Sequence, residues 1–116
     1  MAKDLLDLGI NLNFAPVVDV NSNPNNSVIG LRSFGDDPAT VSAFAAKMLE
    51  GLKSRGVVGC LKHFPGHGDT ETDSHYGLPS VDKSLDELMK NELLPYQNIS
   101  KTADMVMTAH ILFPQV

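Results

Sequence analysis

The chain has 116 residues, 42% apolar and 20% charged, which suits one folded domain and excludes a disordered or collagen-like chain. Nine Lys and Arg against fourteen Asp and Glu leave a net charge of −5, and there is no Trp, so the basic face and aromatic platform of a nucleic-acid module are missing. No apolar run approaches the ~20 residues that span a bilayer, and Cys60 is the only cysteine, which rules out an intrachain disulfide.

The start, Met1-Ala2-Lys3-Asp4, is too polar for a signal peptide, and nothing in the sequence decides between cytoplasm and export. Residues 2–8 read as the end of a helix, with Gly9 as its stop. Residues 10–20 suit a strand. Its centre, Phe14-Ala15-Pro16-Val17-Val18, is apolar on successive residues, as in a strand buried on both faces. An Asn-rich loop follows over 21–34. Asp37 caps the next helix and Pro38 takes its first position. Val41, Phe44, Ala45, Met48, Leu49 and Leu52 then fall on one face, and Gly56 ends the helix. Residues 57–61 form a short buried strand, and 62–79 a second long loop. Ser84 and Glu87 make a capping box for a further helix. Pro95 breaks or restarts it. Residues 104–112 form a third strand. Strands alternating with helices predict a parallel sheet and α/β architecture. Both long loops follow strands, so both meet where α/β folds gather their sites.

The loop from Lys62 to His75 is dense in titratable groups. Asp73 lies two residues before His75. It could fix the imidazole's tautomer and stabilise its cation, which would suit acid–base work; a plain surface turn is the competing reading. His63 and His67 have the spacing of a helical zinc motif, but Pro65 and Gly66 lie between them and Phe64 stands where the motif needs Glu. Gly66 and Gly68 make no phosphate loop, because no Gly-Lys-Ser/Thr follows. Lys62 and His63 end a buried strand, so their side chains can enter a site. Arg32 could offer its fork of donors to hydroxyls or carboxylates, or lie on the surface. His110 reads as a core histidine and Cys60 as a packed thiol.

The run Lys62-His63-Phe64-Pro65-Gly66-His67-Gly68 with Asp73-Ser74-His75 resembles the signature of bacterial β-N-acetylglucosaminidases (β-hexosaminidases) of glycoside hydrolase family 3. Asn13-Phe14-Ala15-Pro16-Val17-Val18-Asp19, Ile29-Gly30-Leu31-Arg32-Ser33-Phe34 and Met107-Thr108-Ala109-His110 resemble three further blocks. The resemblance covers nearly the whole chain. It implies a partial (β/α)₈ barrel, about three parallel strands with their helices, so that residues 1–116 are a section of the family's N-terminal catalytic domain. It implies hydrolysis of terminal β-linked N-acetylglucosamine from peptidoglycan or chitin fragments, with retention of configuration. By residue matching, His75 backed by Asp73 is the acid/base, and Arg32, Lys62 and His63 hold the sugar. No metal or cofactor is implied, and the partner is a carbohydrate. The family's nucleophilic Asp would lie beyond residue 116, and an early sugar-binding Asp upstream of residue 1. A complete barrel takes ~250 residues, so the isolated chain is expected to be inactive and, with cut strand edges, to self-associate. Two other readings stay open: a non-catalytic carbohydrate-binding or assembly module, and a metal-dependent hydrolase using His63, His67 and His75.

Overall fold

In the computed structural model, which describes residues 1–71 and 77–116, the elements run in the predicted order. They are α1 (Ala2–Asp7), β1 (Leu12–Asn13), α2 (Pro38–Lys53), β2 (Val58–Phe64), α3 (Leu85–Lys90), α4 (Leu94–Ile99) and β3 (Met105–Thr108), with short 3₁₀ turns at Gly30–Arg32 and Ser100–Thr102. The strands form one parallel sheet in the order β1-β2-β3. Strands that follow one another in sequence are thus neighbours in space, as in a barrel wall. A doubly wound sheet would instead reverse its order somewhere.

The first strand is shorter than the sequence predicts. Regular pairing covers only Leu12 and Asn13, and a single bridge, Val17 to Lys62, follows. Pro16 explains the break, because it has no N–H to give to a ladder. The segment still tracks β2: Cys60 N–H donates to Ala15 O at 2.8 Å and Val18 N–H to Lys62 O at 2.7 Å. The second strand is longer than predicted and carries Lys62, His63 and Phe64 within it. The third stops at Thr108, short of the predicted 112. Beyond it, Ala109 N–H still donates to Phe64 O at 2.8 Å, and Leu112 forms an isolated bridge to Ser80.

Helix α2 forms as its caps dictate. Asp37 Oδ2 accepts from Thr40 N–H at 2.8 Å, with Pro38 at the first helical position. Val41, Ala45, Leu49 and Leu52 are buried against the sheet, the Val and Leu side chains each worth ~1.5–3 kcal/mol of burial. Phe44 departs from the expected apolar face: it is exposed and stacks on Phe34 instead, ring centroids 5.8 Å apart. Ser42 takes the buried place, accepting from Asn98 Nδ2 of α4 at 3.1 Å. Gly59 lets α2 approach the sheet, since a Cβ there would lie 2.5 Å from Leu49 Cδ2 and 3.2 Å from Ala15 O. The Glu87 half of the capping box is made: its carboxylate accepts from Ser84 N–H at 2.8 Å. Pro95 restarts the helix, near the beginning of α4. Cys60 is a packed thiol as expected, and burial pushes its pKa up. No helix among the described residues is long and apolar enough to cross a membrane.

The core gathers Val18, Val20, Val41, Ala45, Leu49, Leu61, Leu88 and Ile99. Leu61, at the centre of the middle strand, is wholly buried. Leu61→Ala is expected to cost about 2–5 kcal/mol in urea unfolding. Leu31→Ala, at a fully exposed position, should stay within about 0.5 kcal/mol.

Candidate active site

The site begins with a carboxylate two residues past the bridged Val17 of the first strand segment. Asp19 directly follows the apolar pair Val17-Val18, and its side chain is wholly buried. Oδ1 accepts from His63 N–H at 3.1 Å and from His67 N–H at 2.7 Å. Oδ2 lies 2.7 Å from His63 Nδ1. An ionised carboxylate only accepts, so Nδ1 carries a hydrogen, and in the neutral ring Nε2 is then the acceptor.

His63 is available for this because β2 and β3 slip register there. Lys62 pairs with Met107 and Phe64 with Thr108, so His63 is skipped. A bulge of this kind re-aims one residue of the strand. The N–H that would have gone to β3 goes to Asp19.

The first long loop is tied to the second by Asn26. Its Oδ1 accepts from Val28 N–H at 3.0 Å and Ile29 N–H at 2.8 Å, while Nδ2 donates to His67 O at 2.8 Å. The buried Thr70 hydroxyl donates to His67 O at 2.9 Å and lies 2.6 Å from His67 Nδ1. The His63 and His67 rings meet edge to face, 5.9 Å between centroids.

A cleft of about 500 Å³ opens at this end of the sheet, lined by Val28, Arg32, His63, His67, Met107, Thr108, Ala109 and His110. The loop after the first strand, the end of β2 with the turn after it, and the end of β3 all contribute, as the topology requires. Arg32 Nε and Nη2 donate to Val28 O at 3.2 and 2.9 Å, which leaves the other donors of this exposed guanidinium for the cleft. Lys62 is half-buried and does not line the cleft. His110 corrects the core reading: it is exposed and lines the cleft, because β3 ends two residues before it. Asp73 and His75 lie outside the described residues. Among the described residues no three His, Cys, Asp or Glu are grouped to hold a metal ion.

The sequence alone gives Asp19 no role, yet the structure puts its carboxylate at the centre of the site. The signal was present: an acid following a two-sided apolar strand cannot be buried there without donors.

The model of the glycosyl hydrolase family 3 N-terminal domain matches residues 1–116. The chain belongs to this family. It is 51% identical over 116 residues to beta-hexosaminidase A of Pseudoalteromonas piscicida, covering 98% of this chain and 19% of that one. It is 46% identical to beta-hexosaminidase LpqI of Mycobacterium tuberculosis, covering 97% and 29%. A solved family 3 β-N-acetylglucosaminidase from Paenibacillus superposes with a TM-score of 0.95 at 46% identity, over 99% of this chain and 22% of that one. NagZ from Neisseria gonorrhoeae in complex with N-trifluoroacetyl-D-glucosamine superposes with a TM-score of 0.91 at 44% identity, over 99% and 34%. The chain thus spans about a fifth to a third of these relatives' length. Its three strands and their helices are a section of the family's barrel.

Substituting Asp19 tests the family 3 site directly. Asp19→Asn keeps an oxygen for the two backbone N–H groups but can turn a donor toward His63. The neutral ring should then move its hydrogen to Nε2, read by nitrogen NMR shifts. Asp19→Ala removes every acceptor and should cost about 2–5 kcal/mol in urea unfolding.

Proposed function

We propose that the protein carrying this chain hydrolyses terminal β-linked N-acetylglucosamine in peptidoglycan or chitin fragments. One observation carries the reading: 99% of the chain superposes on a β-N-acetylglucosaminidase at a TM-score of 0.95 and 46% identity. The cleft chemistry agrees with it. Arg32 offers a fork of donors to sugar hydroxyls or an amide carbonyl. His63, its tautomer set by Asp19, offers Nε2 as an acceptor for a hydroxyl. Lys62 is assigned to the sugar by residue matching alone.

The chemistry is proposed as two displacements. His75, oriented and charge-stabilised by Asp73, protonates the glycosidic oxygen. An Asp carboxylate from outside these 116 residues attacks the anomeric carbon, and the leaving alcohol departs. His75, now neutral, takes a proton from water, which attacks the anomeric carbon and releases the carboxylate. Two inversions give net retention. The 116 residues alone lack this nucleophile and should not turn over substrate.

In the full-length protein, His75→Ala is expected to lower turnover of a poor-leaving-group substrate by ~10²–10⁴. An activated aryl glycoside, which needs little protonation, should lose less at the glycosylation step. Equal, small losses on both substrates would remove His75 from the acid role. Full-length protein that releases no N-acetylglucosamine from either substrate would remove the glycosidase reading itself.

A further inference from the structure

Lys83 lies in the lead-in to α3, outside the cleft. Its ammonium donates to Glu92 Oε1 at 2.6 Å and pairs with Asp69 Oδ2 at 2.9 Å. Glu92 sits in the turn between α3 and α4 and is wholly buried. Its Oε1 also accepts from Asn91 Nδ2 at 3.1 Å, while Oε2 has no partner among the described residues. A buried carboxylate so poorly satisfied is costly unless a cation stands beside it. An apolar residue of similar volume would often serve stability as well or better. Stability is therefore a weak reason for an acid at this place.

The geometry around it suggests a stronger one. Asp69 belongs to the histidine loop, and its other oxygen accepts from Ser22 Oγ at 3.3 Å. The loop backbone rests directly on the Glu92 stem: a Cβ at Gly66 would lie 2.8 Å from Glu92 Cβ and 2.9 Å from Cγ. On its other side the loop presses on the end of the first strand segment. A Cβ at Gly68 would lie 1.7 Å from Val20 O, and Gly68 O accepts from Asn23 N–H at 3.3 Å. The stretch from Gly66 to Asp69 is thus held between two walls, with Lys83 joining its far end to the Glu92 wall.

We propose that Lys83 is a positioning residue whose bridge from buried Glu92 to Asp69 anchors the histidine loop against the scaffold. The loop carries His67, which touches Asp19 of the site, and leads along the chain toward Asp73 and His75. The bridge comes from the α3–α4 side, whereas Asp19 and Asn26 hold the loop from the cleft side. Two independent holds restrict both translation and rotation of the segment. The catalytic consequence rests on the glycosidase reading; the anchoring does not.

Two variants separate anchoring from stability. Asp69→Ala cuts the loop out of the bridge and leaves the Lys83–Glu92 pair whole. The double variant Lys83→Met with Glu92→Leu removes both charges together, so no buried acid is stranded. Both should keep a urea midpoint near the parent's. Amide exchange at Thr70 and Asn23, whose N–H groups bond His67 O and Gly68 O, should nonetheless quicken by about 10- to 100-fold, the loss of one charge-assisted hold. In the full-length protein, kcat should fall by about 10- to 100-fold with KM little changed, as for a displaced catalytic group. Parental exchange at both amides in folded variants would overturn the anchoring. Fast exchange with parental kcat would overturn the catalytic consequence. If the unsubstituted full-length protein is inactive, the glycosidase reading falls and the exchange measurement alone decides the anchor.

Discussion

The site depends on one buried carboxylate. Asp19 accepts from two backbone N–H groups and one imidazole, and those donors come from the end of β2 and from the loop beyond it. A carboxylate without water must find such donors or stay protonated. Satisfying it fixes three things together: the register slip at His63, the path of the chain into His67, and the tautomer that turns His63 Nε2 toward use. The apolar strand places the charge, and the charge then organises the polar residues around it.

The loop is held by electrostatics on one side and by shape on the other. Gly66 and Gly68 matter here for the side chains they lack, since each faces a wall that a Cβ would strike. Asn26 adds the neutral tie between the two long loops, spending both ends of its amide in a buried position. Buried polar networks of this kind are costly when incomplete and specific when complete. That fits a segment whose work is to present groups and not to pack.

The polar cleft and the apolar core occupy different ends of the same strands. Leu61 and Cys60 are buried in the middle of β2, while His63 emerges at its C-terminal end. A parallel sheet makes this division natural, because all strand ends of one polarity lie on one side. Arg32, His63 and His110, far apart in sequence, share a cleft for that reason.

The residues themselves determined much of this. The caps at Asp37 and Ser84, the restart at Pro95, the alternation that implies a parallel sheet, and the density of the histidine loop were all legible, because each depends on local chemistry. The family was legible too, from the run Lys62 to Gly68. Other features were not. The first strand's early break, the skip at His63 and the exposure of His110 depend on which backbone groups the neighbouring strand offers. Phe44 and Ser42 exchanged their expected places because the surfaces facing α2, and not its own periodicity, decide which side chain is covered. Asp19 and the Lys83–Asp69–Glu92 bridge join residues 9 to 48 positions apart along the chain. Composition and spacing carry no record of such pairings; only the packed sheet, by excluding water around Asp19 and Glu92, decides which donors those carboxylates must find.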